Sequence, residues 1–167
     1  GTGGHGHVFL GASVPFGMVQ LGPTSVSEGW DWCSGYHISD STIIGFSHTH
    51  LSGTGIGDLL DLTMMPVTGE VTPGRGTKED QESGQWSYSD RSRETVEPGY
   101  YATRLTRYGI GVELTATTRV GLHRYSFPEG ADRPALLIDL ANGGNWDALT
   151  EAEIRRVDDT RLEGWRH

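Results

Sequence analysis

Short runs of β-branched and apolar residues alternate along the chain with glycine, proline and polar clusters. MVQL, STIIGFSH, LLDLTMMPVTG, GYYATRLTRYG, GVELTATTRVGLHRYSF, ALLIDL and RLEGWRH each read as strand. In the longest run, Val112, Leu114, Ala116 and later Leu122 recur at even positions with polar neighbours between them. A period of two places such residues on one face of a half-buried strand. Gly109 and Gly111 bracket a predicted hairpin turn. Nothing before Asn145 keeps a 3.6-residue apolar period for three turns; only Trp146–Arg155 has the pattern of one short helix. Many short strands separated by turn signals predict an all-β fold, an antiparallel β-sandwich. The polar, Gly-rich stretch from Pro73 to Asp90 reads as a long exposed loop, and no internal repeat or second domain is visible.

Composition narrows the function classes. The chain has 167 residues, a length that suits one domain with a substantial core. Thirteen Lys and Arg stand against 22 Asp and Glu, for a formal net charge of −9. Without a basic stripe, binding to a phosphate backbone is disfavoured. No apolar run approaches the ~20 residues of a membrane span, so no membrane insertion is expected. Cys33 is the single cysteine, which excludes an intrachain disulfide. The chain opens at Gly1 inside what reads as a structured motif and stops at EGWRH in a strand-like pattern; it is expected to be a piece of a longer polypeptide.

The chemistry-bearing residues gather near the amino-terminal end. GTGGHG matches G-x-G-x-x-G formally, but no strand precedes it, and Gly11, Pro15 and Gly17 interrupt any following helix. A dinucleotide site needs both elements, so these glycines are read as a loop passing close to other backbone or a ligand. His5 and His7, like His48 and His50, are spaced i, i+2, which on a strand would put both imidazoles on one face. No third ligand stands at a familiar spacing, so imidazoles hydrogen-bonded to loop backbone outweigh a zinc or copper site. Trp30 and Trp32 sit among Gly29, Asp31, Cys33, Ser34 and Gly35 in GWDWCSG. Such rings are either core or a platform for the apolar face of a sugar; covering about 40 Å² of indole contributes about 1 kcal/mol. Asp31 beside them is suited to accept hydrogen bonds from hydroxyls. Cys33 lacks an adjacent base and reads as a packing residue more readily than a nucleophile. Asp58 and Asp61 do not present an identifiable acid–base pair, and Asp158 and Asp159 read as a turn.

GTGGHGHVFLGASVPFGMVQLGP, GWDWCSGYHISDSTIIGFSHTHLSGTGIGDLLDLTMMPVTG and ELTATTRVGLHRYSFP closely resemble the amino-terminal domain of family 92 of the glycoside hydrolases, over nearly the whole chain. The resemblance implies a β-sandwich of the super-sandwich type, packed in the full-length enzyme against a carboxy-terminal (α/α)6 domain. It further implies a calcium-dependent, inverting exo-α-mannosidase acting on mannose-containing glycans, with α-1,2 linkages favoured and the cell exterior or periplasm as its place. The catalytic acid and base and most of the calcium environment would belong to the helical domain, leaving no catalytic residue and no metal ligand on this chain. By the same resemblance Trp30, Asp31 and Cys33 shape the sugar subsites, and His5, His48 and His50 contact hydroxyls or brace that loop. From the residues alone, a stand-alone carbohydrate-binding sandwich is the alternative.

Overall fold

The computed structural model describes residues 1–53, 55–141 and 148–167. Two four-stranded antiparallel sheets carry the architecture. The first has the order β1 (Gly22–Thr24), β3 (Gly45–Ser47), β4 (Thr63–Val67), β10 (Ala135–Asp139). The second is a meander of β6 (Thr95–Glu97), β7 (Tyr100–Leu105), β8 (Ile110–Ala116) and β9 (Gly121–Ser126). Two smaller antiparallel pairs accompany them: β2 (Thr42–Ile43) with β5 (Ser87–Tyr88), and the hairpin β11 (Ala152–Arg156) with β12 (Leu162–Arg166).

Alternation decides which faces meet. In β8, Ile110, Val112, Leu114 and Ala116 are buried while Glu113 and Thr115 point outward, as the period of two predicts. Tyr101 and Leu105 of β7 join them. Phe46, Met65 and Val67 of the first sheet complete one shared core, with Phe46 and Tyr101 ring centroids 6.4 Å apart. Each such buried apolar side chain contributes about 1.5–3 kcal/mol, and this common core makes the assembly a sandwich.

Several expected boundaries move. Leu122 is exposed, because Leu114 lies opposite His123 and Thr115 opposite Leu122 across the β8–β9 hairpin. Opposite residues share a face, so the turn at residues 117–120 switches the inward positions of β9 to Gly121, His123 and Tyr125. Gly111 lies inside β8, opposite Arg104, and only Gly109 ends the turn, with φ +65°. MVQL forms no strand beyond the Ala12–Leu21 bridge, and LLDL is irregular, with Leu59, Leu60 and Leu62 at positive φ. The short helix expected over Trp146–Arg155 begins outside the described residues, and from Ala152 its remainder is β11. Good helix formers are overridden there by pairing with β12, including a cross-strand Arg155–Glu163 ion pair. The Pro73–Asp90 stretch is only half loop: Gln85, Trp86, Ser87 and Ser89 are buried, and β5 lies within it.

Candidate functional site

The Gly-rich amino-terminal segment, the turn at Trp30–Trp32 and Gly55 meet around the Trp30 ring. Trp30–Trp32 forms a single 3-10 turn, entered through Gly29 and closed by bonds from Trp32 N–H to Gly29 C=O and from Cys33 N–H to Trp30 C=O. This turn holds the Trp30 indole 53% exposed. Two neighbours fix the ring. Its N–H donates to the Gly55 carbonyl at 2.6 Å, and the His7 imidazole meets it edge-on with centroids 4.4 Å apart. Gly55 has φ +67°, and a Cβ there would lie 2.9 Å from Trp30 Cζ2, so a side chain would push the ring away.

Asp31 sits beside the indole with both imidazoles on a single oxygen. His5 Nδ1 donates to Asp31 Oδ1 at 3.0 Å and His7 Nε2 donates to the same atom at 3.2 Å. The bond from His5, then that from His7, holds the Asp31 carboxyl below the usual range. Asp31 Oδ2 has no protein partner among the described residues. His7 is buried, whereas the His5 side chain is 82% exposed and tilted against Trp30 at 6.2 Å. An exposed indole beside an ionised carboxylate with a free oxygen can hold an apolar face and a hydroxyl of one ligand together.

The other sequence candidates lie elsewhere. Cys33 is 2% exposed, and burial raises its thiol pKa; it packs beneath the turn and offers no surface contact. His50, 1% exposed, donates from Nδ1 to the Gln20 carbonyl at 2.6 Å and stacks on Phe9, with centroids 5.2 Å apart. Burial pushes its pKa down to about 4. Both expectations of ligand contact are therefore corrected in this structure: the groups face inward.

His48 is also drawn away, into a relay between the sheets. Its Nδ1 donates to the Leu62 carbonyl at 2.8 Å, so its Nε2 is the bare nitrogen and accepts from His123 Nε2 at 3.1 Å. His123 Nδ1 then accepts from the Tyr125 hydroxyl at 2.7 Å. One carbonyl thus sets three proton positions. Burial lowers the pKa of His48, and burial with the neighbouring His48 takes His123 down to about 4. Asp61 is likewise occupied, by Arg166 and by Thr49, and forms no acid–base pair with exposed Asp58. Asp158 turns β11 into β12 by accepting from Thr160 N–H at 2.8 Å.

Sequence reasoning missed Gly55, and it placed His7 only in a spacing pattern. His7 was legible as the second member of GHGH; Gly55 was one of many glycines, marked out only by the ring lying over it.

Residues 1–167 match the family model of the glycosyl hydrolase family 92 N-terminal domain. A protein of Arthroderma benhamiae described as an uncharacterized secreted glycosidase is 30% identical over 169 residues, 96% of this chain and 21% of its own. A family GH92 α-mannosidase from Bacteroides thetaiotaomicron, solved in complex with mannoimidazole, shares 38% identity at a TM-score of 0.94, over 99% of this chain and 22% of that one. A GH92 inverting mannosidase from the same organism shares 27% identity at a TM-score of 0.65, over 81% and 17%. The chain spans about a fifth of the length of the relatives it matches. With its entire length matched by that model, the chain belongs to the N-terminal domain of glycosyl hydrolase family 92.

Proposed function

We propose that this chain is the N-terminal sandwich of an exported exo-α-mannosidase, and that the Trp30–Asp31 cluster forms one wall of its sugar site. The reading rests above all on a half-exposed indole fixed by Gly55 and His7 beside an ionised carboxylate. In it, the enzyme removes terminal α-linked mannose from N-glycans or mannans, α-1,2 linkages first, with inversion. Its acid and base come from a carboxy-terminal (α/α)6 domain. An inverting pair stands about 6.5–9.5 Å apart to admit a water between carboxylate and sugar. The sandwich supplies position and water exclusion instead of proton transfer. Trp30 covers the apolar face of a pyranose, Asp31 Oδ2 accepts from a ring hydroxyl, and His5 adds a contact at the rim. Val8, Ile38 and Ile56 are exposed on the segments flanking Trp30, an apolar margin suited to cover by the second domain.

Calcium, when bound in such an enzyme, would orient a sugar diol as a hard cation among oxygens. The described residues of this chain do not fit that role. Among the described residues no three His, Cys, Asp or Glu converge to hold a metal, and Asp31 is engaged by nitrogen donors. In this reading the calcium ligands belong mainly to the other domain. Support for export is the relative described as secreted; among the described residues no helix is long and apolar enough to cross a membrane.

Trp30→Ala in the full-length protein tests the reading. Loss of the platform is expected to lower kcat/KM for an α-mannoside by roughly tenfold, equivalent to about 1.4 kcal/mol. An unchanged kcat/KM removes Trp30 from the site. The sandwich expressed alone is expected to hydrolyse no mannoside, and calcium-dependent turnover by it would overturn the division of labour.

A further inference from the structure

The loop between Pro73 and Gln85 is wound with more care than a spacer requires. Gln85 N–H donates to the Gly74 carbonyl at 2.9 Å, Thr77 bridges Asp80, and Ser83 Oγ donates to the Asp80 carbonyl at 2.6 Å. Gly76, at φ +68°, lies so close to the returning chain that a Cβ would clash with the Ser83 carbonyl. Gln85 Nε2 then anchors the loop to the Ile44 carbonyl at 2.9 Å. This closed loop delivers one long side chain toward the Trp30 turn. Lys78 Nζ lies 2.5 Å from Glu28 Oε1 and 2.6 Å from Asp40 Oδ2, with the ammonium 5.5 Å from the centre of a Trp32 ring.

The two carboxylates bracket the site segment. Glu28 stands two residues before Trp30, and Asp40 closes the stretch that follows. Asp40 is buried; its Oδ2 also accepts from Trp32 Nε1 at 2.7 Å, and its Oδ1 accepts from Thr42 N–H at 2.8 Å, at the start of β2. Burial alone would lower the pKa of the Lys78 ammonium, but hydrogen bonds to Asp40 and Glu28 outweigh it and the net direction is up. The ion pair is therefore a charged one, with Lys78 only 19% exposed, where solvent screens it less than a surface pair. The 3-10 turn itself has no side-chain cap.

We propose that Lys78 is a positioning residue: it ties both ends of the Glu28–Asp40 segment together and so sets where Trp30 and Asp31 stand. The inference rests on Trp30 lying in the sugar site, and it assigns a distant, polar loop to the binding step. Removing the ammonium leaves Asp40 with fewer donors and Glu28 with none from Lys78, and the turn gains freedom that substrate binding must then restrict.

The test measures KM and kcat of Lys78→Met, Lys78→Arg, Glu28→Gln and Trp30→Ala in the full-length protein, on a disaccharide α-mannoside. Lys78→Met is expected to raise KM roughly three- to tenfold while kcat changes less than about twofold. Lys78→Arg is expected to restore most of the loss, since a guanidinium fork can reach two carboxylates. A fall in thermal stability with KM unchanged would overturn the inference. Should Lys78→Met fail to fold, Glu28→Gln decides, because it removes only the exposed partner: a raised KM supports the inference and an unchanged KM overturns it. If Trp30→Ala impairs turnover while KM in Lys78→Met stays at wild type, only the positioning role has failed. If Trp30→Ala has no effect, the sugar-site reading has failed and this inference with it.

Discussion

Two His-x-His pairs of identical spacing meet opposite fates in this domain. His5 and His7 converge on Asp31 Oδ1 at an exposed rim. His48 and His50 part: one enters a relay with His123 and Tyr125, the other is sealed against Phe9 and the Gln20 carbonyl. Neither pair lies on a strand, so the i, i+2 rule that suggested a shared face has no pleat to act on. What separates them is the partner: His5 and His7 share the Asp31 carboxylate, whereas His48 and His50 donate to backbone carbonyls. A carboxylate on an exposed turn remains available to a ligand, whereas imidazoles whose pKa burial lowers are held neutral as structural groups.

That contrast is open to attack through stability, where the buried pair should dominate. The largest effect is expected with pH. His50 and His123 have pKa values near 4 in the fold, below the ordinary value of 6.5, and His48 is shifted in the same direction. The unfolded chain therefore takes up protons first. The stabilisation is complete above about pH 6.5 and is lost as pH falls toward 4, on the order of 3 kcal/mol for His50 alone. Chemical denaturation at pH 7 and pH 4.5 measures it; equal unfolding free energies would mean these imidazoles are not desolvated. Next comes His50→Ala, which removes a buried ring and a bond to Gln20 and is expected to cost about 2–4 kcal/mol at neutral pH. The smallest is His5→Ala, expected to shift unfolding by less than about 0.5 kcal/mol at its exposed position while weakening mannoside binding. A His5→Ala protein as unstable as His50→Ala would erase the distinction between rim and interior.

The same contrast explains what was legible beforehand. The β7 run alternates less cleanly, whereas β8 was readable because it buries one face along an unbroken run, so the period of two survives in the letters. Leu122 was not, since the parity of β9 depends on how residues 117–120 turn and pair. Trp86 and its neighbours were hidden in a polar stretch because their burial follows from a partner, β2, distant in sequence. The exposed indole of Trp30 and the carboxylate of Asp31 were legible as chemistry among glycines, while Cys33 and His50, equally reactive as letters, turned inward. Residue type announces what a group can do; packing decides whether a ligand can reach it.

The most direct test is a crystal structure of the full-length protein with mannoimidazole bound. The account predicts the Trp30 indole within about 4 Å of the ligand, with Asp31 Oδ2 in hydrogen-bond reach of a ring hydroxyl. A ligand seated with both side chains on the far side of an intervening layer of protein would contradict it.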